Sequence, residues 1–311
     1  MSKTLIQKVD TAIKLLKTAE QQAKNKPQKM VKVPTPSWNT ICGGCDGVEY
    51  NALIDNNLVE VSYSGGKDSD VILHLARMAG IKHIAIHHRT SIDPPGTLQH
   101  CISNNAVIIN PKETFFQIME RKGFPTRRAR FCCEILKEYK VLDTAVQGIR
   151  TSESRKRAEI YKEPQICRIY GNKKNRVEVF LPILDWTDDD IKEFIKQENI
   201  QCHKLYYDDK GNFCPEHRLG CICCPLQSTR KLKEDFEKHP SFVKAYIRHG
   251  KVWFDSHSNT SSHAKFWDIY SLFVHNVFCN TYEEYARKYG NSAFGESAKS
   301  LLEEHFKIEL P

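Results

Sequence analysis

Val59-Glu60-Val61-Ser62-Tyr63-Ser64-Gly65-Gly66-Lys67-Asp68-Ser69-Asp70-Val71-Ile72-Leu73 puts an apolar strand, a glycine turn and a helix in immediate succession. Two adjacent glycines let backbone N–H groups turn toward an anion, and the N-terminus of the following helix adds partial positive charge. The hydroxyls of Ser64 and Ser69 and the ammonium of Lys67 add donors for phosphate oxygens. Asp68 has no place in a bare anion site; it fits if Mg²⁺ travels with the phosphates. The spacing is not that of the Walker loop, which needs Gly-x4-Gly-Lys-Ser/Thr.

Outward from this turn, short β-rich runs alternate with helical patterns. Strands are expected at 59–63, 83–87, 106–110, 144–149 and 177–181, with helices from Ser69, near Thr114, at Glu134 and after Thr187. Thr187 with Asp190 three positions on has the form of a capping box. Such alternation predicts an α/β fold with a doubly wound parallel sheet in three layers. Residues 4–25 carry Leu5, Val9, Ile13 and Leu16 at helical spacing, which predicts an amphipathic helix packed on the main domain. Pro27, Pro34 and Pro36 then predict an irregular linker. From about Leu232 the pattern is helical, over 242–254, 266–278, 281–289 and 297–306. The expected division is therefore an N-terminal helix and Cys-containing linker over 1–56, a nucleotide-binding domain over 57–231, and a C-terminal helical region over 232–311. Trp186 and Phe180 read as core, and His87-His88 as solvated strand-end residues.

The 311 residues include 46 Lys+Arg against 38 Asp+Glu, a net charge of +8, with 40% hydrophobic and 27% charged residues. This balance supports a sizeable core and excludes a disordered or collagen-like chain. No run approaches the roughly 18–20 apolar residues of a membrane span. The first residues lack the hydrophobic block of a secretory signal, so no membrane association and a cytoplasmic location are expected. The modest positive excess leaves nucleotide, nucleic acid and plain solubility open.

Twelve cysteines are clustered rather than scattered. In a long chain without an export signal, clustering points to metal or iron–sulfur ligation rather than disulfides. Cys132-Cys133 and, about ninety residues later, Cys221-Ile222-Cys223-Cys224 supply four thiolates from two distant loops. Two occupants stand open on ligand chemistry: a 4Fe–4S cluster or a four-thiolate zinc ion. Arg130, Lys137 and Arg218 are placed to offset the charge of such a group, and Cys223 is the spare thiol. A second set pairs Cys42-Gly43-Gly44-Cys45 with Cys214-Pro215-Glu216-His217, the latter inside an apparent insertion at 208–217. Together Cys42, Cys45, Cys214 and His217 make a three-Cys, one-His set of zinc spacing.

Ser64–Ser69 is similar to the PP-loop of the ATP-pyrophosphatases, which cleave ATP between its α and β phosphates. The wider pattern resembles the phosphoadenosine phosphosulfate (PAPS) reductase family from about residue 57 to 255. It is carried by the loop itself, by Asp93-Pro94-Pro95, and by the stretch from Lys122 through Arg130-Phe131-Cys132-Cys133. Gly148-Ile149-Arg150-Thr151-Ser152-Glu153-Ser154-Arg155, Pro182-Ile183-Leu184-Asp185-Trp186-Thr187 and Gly220-Cys221-Ile222-Cys223-Cys224-Pro225 complete it, in the same order. The resemblance implies the adenine-nucleotide α-hydrolase fold and, in the cluster-bearing branch, a 4Fe–4S centre on Cys132, Cys133, Cys221 and Cys224. It also implies that Arg150, Arg155 and Arg157 line the anionic end of the nucleotide, a role that guanidinium forks suit. For Arg157 a plain solvated basic stretch is an equal reading.

Two departures from the family steer the functional expectation. Its reductases deliver a nucleophilic thiol from a C-terminal Glu-Cys-Gly-x-His motif, whereas this sequence reads His305-Phe306-Lys307-Ile308-Glu309-Leu310-Pro311 there, and its last cysteine, Cys279, reads as buried filler. True sulfonucleotide reductases also resemble only a degraded PP-loop, and this one is complete. Both favour an ATP pyrophosphatase/sulfurtransferase-like enzyme of sulfur metabolism. Ser64, Gly65, Gly66, Lys67 and Ser69 would hold pyrophosphate, Asp68 would support Mg²⁺, and AMP transfer would activate an acceptor for iron–sulfur-dependent thiolation, as in enzymes that thiolate tRNA or DNA. The implied partners are an adenine nucleotide, a nucleic-acid acceptor and a sulfur-donor protein. One alternative is a PAPS/APS reductase, an oxidoreductase fed by an external thiol such as thioredoxin. The other is a non-catalytic nucleotide-binding subunit of a modification or defence complex.

Overall fold

The computed structural model describes residues 1–34, 51–126, 129–170, 175–262, 264–289 and 298–311. Along the chain these form α1 (Lys3–Lys24), β1 (Met30–Pro34), β2 (Asn51–Asp55), β3 (Val59–Ser62), α2 (Lys67–Met78), β4 (His83–His88), α3 (Thr97–Ser103) and β5 (Val107–Ile109). There follow α4 (Phe115–Lys122), α5 (Phe131–Leu136), β6 (Thr144–Val146), α6 (Arg155–Ile160), β7 (Gln165–Tyr170), β8 (Asn175–Phe180) and α7 (Asp188–Gln197). The C-terminal part holds α8 (Thr229–Lys238), α9 (Pro240–Ser256), α10 (Ile269–Phe278), α11 (Tyr282–Tyr289) and α12 (Ala298–Phe306). The chain packs as two compact units interleaved in sequence: residues 1–89, 93–110 and 137–219 in one, 90–92, 111–136 and 220–311 in the other.

Among the described residues of the first unit, six strands form one sheet in the order β5-β4-β3-β6-β8-β7. All neighbours pair in parallel except β7, which runs antiparallel to β8 at the edge. The fold is thus α/β with a doubly wound sheet, and the strand order reverses between β3 and β6. At such a switch point the loops leaving the two strands diverge and open a crevice. Here those loops are 63–66 and 147–150. Val59, Val61, Ala145, Val146 and Val179 are fully buried, as a parallel sheet's continuous apolar runs require.

Helix α1 presents Leu5, Val9, Ala12, Leu16, Ala19 and Ala23 along one buried stripe, and these share a core with Val59, Val61, Val71, Ile72, Phe180 and Trp186. Ser2 caps it by accepting from the Leu5 N–H. The stripe turns on Ala12 rather than Ile13, which is only partly buried. Burying each large aliphatic of this face stabilises the unit by about 1.5–3 kcal/mol, so α1 is an integral layer. The expected irregular linker after it is not wholly irregular: β1 pairs antiparallel with β2, Met30 opposite Asp55.

Three further expectations are corrected. Helix α2 starts at Lys67, two residues before Ser69, because Gly66 already has the extended backbone of an N-cap. Helix α5 starts at Phe131 rather than Glu134, so the vicinal cysteines sit in its first turn. His87 and His88 are buried, not solvated, with His88 edge-on to Tyr139 at 4.0 Å between ring centroids. Thr187 closes the expected capping box with Asp190, and Trp186 and Phe180 lie in the core.

The second unit is helical, with a core built on Phe115, Phe236, Val243, Tyr246, Ile247, Phe273 and Leu302. Cys279 is buried at the end of α10. No helix among the described residues is long and apolar enough to cross a membrane.

Candidate nucleotide site and cysteine groups

The turn after β3 is shaped by its own hydroxyls. Gly65 has φ +77°, the left-handed region open to glycine. The Gly66 N–H donates to Ser64 Oγ at 3.3 Å, Ser64 Oγ donates to Ser69 Oγ at 3.2 Å, and Ser69 Oγ donates to the Gly66 carbonyl at 2.7 Å. Gly66 offers no side chain to cap α2; the Lys67 N–H donates to the Tyr206 hydroxyl oxygen, and the helix N-terminus adds partial positive charge at the turn.

A cavity of about 260 Å³ opens over this turn, lined by Ser62, Ser64, Gly66, Lys67, Asp68 and Ser69, with Gly148, Glu153, Arg157, Tyr206, Arg218 and Leu219 around it. Lys67 is 5% exposed; its ammonium lies 3.1 Å from Asp68 Oδ2 and 5.8 Å from the Tyr206 ring centroid. Arg157 pairs with Glu153, and burial, with Arg218 adding to it, draws its guanidinium below the ordinary range. Burial pushes the Tyr206 hydroxyl up to about 12, so it stays a neutral donor. Its oxygen accepts from the Leu219 N–H at 3.3 Å. Three cations therefore face the cavity against two carboxylates, a balance that favours an anion of several charges.

Of the arginines expected here, only Arg157 lines the cavity. Arg150 is buried behind the loop, donating to Asp68 Oδ1 and Asp188 Oδ1 at 2.8 Å each and to Ser152 Oγ at 2.9 Å. Arg155 is exposed at the start of α6. Arg218, read from the sequence as a counter-charge for the cysteine group, lines the nucleotide cavity instead. Tyr206, Gly148 and Glu153 also line the wall, beyond the residues expected from the sequence. Gly148 and Glu153 flank Arg150 in the motif already noticed, whereas nothing local to Tyr206 signals its place.

Cys132, Cys133, Cys221, Cys223 and Cys224 belong to the second unit and share it with Tyr246 and Phe236. Cys132 is 7% exposed, and its neighbour Cys133, burial and then Cys224 push its thiol up. Cys221 Sγ lies 3.6 Å from Thr90 Oγ1, and the Ile222 N–H donates to the Ile92 carbonyl at 2.8 Å, which pins the loop. Cys223 has φ +50° and is fully buried, its carbonyl accepting from Tyr246 Oη at 2.9 Å. It turns inward while Cys221 and Cys224 stay partly exposed. Among the described residues no three of these thiols come within 4.8 Å of one another. Four thiols on two loops of one unit are a donor set that either a four-thiolate zinc ion or a 4Fe–4S cluster takes.

Of the second set, Cys214 and His217 lie together with Glu216, their donor atoms within 4.8 Å. Cys42 and Cys45 lie outside the described residues.

A doubly wound sheet with a phosphate-shaped turn at its switch point defines a nucleotide-binding protein of the α/β class. The chain belongs to the phosphoadenosine phosphosulfate reductase domain family, whose model matches residues 58–227. It is 29% identical over 207 residues to the uncharacterized protein MJ0973 of Methanocaldococcus jannaschii, covering 62% of this chain and 47% of that one. It is 28% identical over 205 residues to sulfate adenylyltransferase subunit 2 of Shewanella putrefaciens, covering 51% of this chain and 63% of that one. The chain thus spans about half the length of the first relative and under two thirds of the second. Among solved structures, the U34-tRNA thiolase NcsA of Methanococcus maripaludis with its 4Fe–4S cluster aligns with a TM-score of 0.35 and 15% identity, over 81% of this chain and 82% of that one.

Proposed function

We propose that the protein is a PP-loop ATP pyrophosphatase that activates an acceptor for sulfur transfer, with a nucleic-acid base as acceptor. The observation that carries this reading is the complete Ser64–Ser69 loop at the start of α2, under a cavity faced by Lys67, Arg157 and Arg218. In this reading an acceptor oxygen attacks the α-phosphorus of ATP. The bond to the β-phosphate bridging oxygen breaks, and pyrophosphate leaves carrying the electron pair. The α2 amides, Lys67 and the Ser64 and Ser69 hydroxyls hold pyrophosphate, and Arg157 and Arg218 offset charge as it develops. A sulfur nucleophile supplied as sulfide then displaces AMP from the acceptor, and AMP leaves carrying the bridging oxygen and its electron pair.

Asp68 has a partly exposed carboxylate at the cavity wall. Mg²⁺ commonly takes one or two carboxylates plus substrate phosphates and keeps its waters, so Asp68 is the residue that would hold it. Cys132, Cys133, Cys221 and Cys224 would hold a 4Fe–4S group, which when bound would offer iron for sulfur ligation. The catalytic parts then fall within residues 57–231, with 232–311 as a helical addition.

Anaerobic calorimetry of the cluster-loaded chain tests this, titrating Mg·ATP and phosphoadenosine phosphosulfate in parallel with a pyrophosphate-release assay. The expected result is Mg²⁺-dependent ATP binding, weakened on the order of tenfold to a hundredfold in Lys67→Met, the loss of one charge-assisted contact of about 1.5–3 kcal/mol. Preference for the phosphosulfate without Mg²⁺ would overturn the reading in favour of a reductase. Binding without turnover over a range of acceptor nucleic acids would overturn it in favour of a nucleotide-binding subunit.

A further inference from the structure

Cys214, Glu216 and His217 form, among the described residues, the one trio of metal-donor groups whose atoms all lie within 4.8 Å. They stand on backbone that is already fixed. The turn 214–217 is closed by the His217 N–H donating to the Cys214 carbonyl at 3.1 Å, and the Cys214 N–H donates to the Tyr206 carbonyl at 2.7 Å. A bridge between Tyr207 and Phe213 shuts the hairpin immediately before it.

The imidazole supplies a second, independent observation. His217 Nδ1 lies 2.8 Å from the Leu205 carbonyl oxygen. A carbonyl only accepts, so Nδ1 carries the proton and Nε2 keeps its lone pair free. A backbone carbonyl orienting the far nitrogen is how metal-binding histidines are commonly held. Asp208, on the hairpin before the turn, is spent on the Lys210 and Asn212 N–H groups and the Asn212 amide.

We propose that Cys214, Glu216 and His217 bind one divalent ion of the zinc class. Thiolate, carboxylate and imidazole are the three donor types zinc takes, whereas Mg²⁺ and Ca²⁺ demand oxygen sets. Zinc bonds of about 2.0–2.3 Å give tetrahedral edges of roughly 3.3–3.8 Å, so donors already within 4.8 Å of one another close by no more than about 1.5 Å as the ion enters. Cys214 is half-buried and the other two are exposed, which lets the ion load into folded protein. Three donors leave the fourth position to water or a further ligand. The ion would tie 205–206 to 217–219, and Tyr206 and Leu219 both line the nucleotide cavity. It is a staple on the cavity wall, and its existence does not depend on the reaction proposed above.

Zinc and iron are counted by elemental mass spectrometry on the full chain purified anaerobically, for wild type, Cys214→Ser and His217→Gln. Cobalt(II) is titrated into zinc-depleted samples of each. The expected result is about one zinc per chain in wild type, lost in both variants with iron unchanged, and a thiolate-to-cobalt absorption band that requires Cys214. Equal zinc in wild type and variants, or neither stoichiometric zinc nor the cobalt band in wild type, overturns the site. If both variants lose iron as well, their fold has failed and Glu216→Gln decides. Cobalt affinity lowered on the order of tenfold or more supports the site, and unchanged affinity overturns it.

Discussion

Arg150 Nε donates to Asp68 Oδ1 at 2.8 Å, and the arginine is 1% exposed. The same guanidinium reaches Asp188 and Ser152, while Lys67 approaches the other oxygen of Asp68. The carboxylate at the cavity wall is therefore held from behind, and in the proposed reading Arg150 positions Asp68 rather than touching substrate. A lysine at 150 keeps the charge but not the fork that spans three acceptors. Arg150→Lys and Asp68→Asn should each cost about 1.5–3 kcal/mol of stability. Because they share one interaction, the double variant should fall short of their sum by about 0.5–3 kcal/mol. Urea unfolding measures the cycle. A Mg²⁺ titration of ATP binding provides the readout that a purely structural role would leave untouched: in both single variants the Mg²⁺ dependence should flatten. Strict additivity with normal Mg²⁺ dependence would remove the coupling.

Gly148 faces the same loop from the other side of the switch point. A Cβ there would sit 2.9 Å from the Asp68 carbonyl oxygen and 3.1 Å from its carbon, both backbone atoms that cannot rotate aside. Gly148→Ala should therefore push the two loops apart, costing about 1–3 kcal/mol as overpacking does, and ATP affinity should drop with it. Gly220 has nothing within 4 Å of the corresponding position, so Gly220→Ala should change stability by no more than about 0.5 kcal/mol. Thermal unfolding of the two alanine variants makes the comparison. Equal effects would mean the close approach is not what holds the loop.

Much of this was legible from local pattern. The turn at Ser64–Ser69, the parallel strands with their continuous apolar runs, and the Thr187 cap all announce themselves within a few residues. Strand β7 did not, because its residues give no consistent apolar face: at this antiparallel edge Ile169 is exposed while Arg168 is half-buried. Helix α5 begins at Phe131 rather than Glu134 because phenylalanine and two cysteines, all weak helix formers, fill its first turn. Site assignments failed where partners are distant in sequence. Arg150 meets Asp188 thirty-eight positions on, and Tyr206 and Arg218 reach the cavity from a hairpin whose fold no spacing specifies. The burial of His87 and His88 follows from strand β4 lying second from the sheet edge, a fact of strand order that sequence periodicity does not carry.

The thiols of the second unit should separate into two classes. Cys223 is fully buried with its backbone turned inward, and burial pushes its thiol up. Cys223→Ala should keep its iron and lose about 1 kcal/mol or somewhat more for the small cavity left behind. Cys132→Ser and Cys221→Ser should lose most of their iron together with the visible absorbance of the cluster. Iron analysis of anaerobic preparations distinguishes them. Loss of iron in Cys223→Ala alone would reassign the ligand set.

Stability should fall on the acid side for a reason located in strand β4. Burial first, then the nearby positive charges of Lys140 and His87, push His88 down to about 3 from its ordinary value near 6.5, and burial pushes His87 in the same direction. Below pH 6.5 the unfolded chain binds a proton at His88 that the folded chain refuses. The unfolded state then holds more protons, so stability is fully present above pH 6.5 and is lost as pH falls toward 3. At about 1.4 kcal/mol per pH unit, His88 alone removes about 2 kcal/mol between pH 7 and pH 5. His88→Phe keeps a ring against Tyr139 and abolishes the titration. Urea unfolding of wild type and His88→Phe at the two pH values should show the variant losing about 2 kcal/mol less, since carboxylate contributions common to both cancel in the difference. An equal loss in the two proteins would mean that His88 takes up its proton in the folded state, and that the β4 edge of the core opens to water in acid.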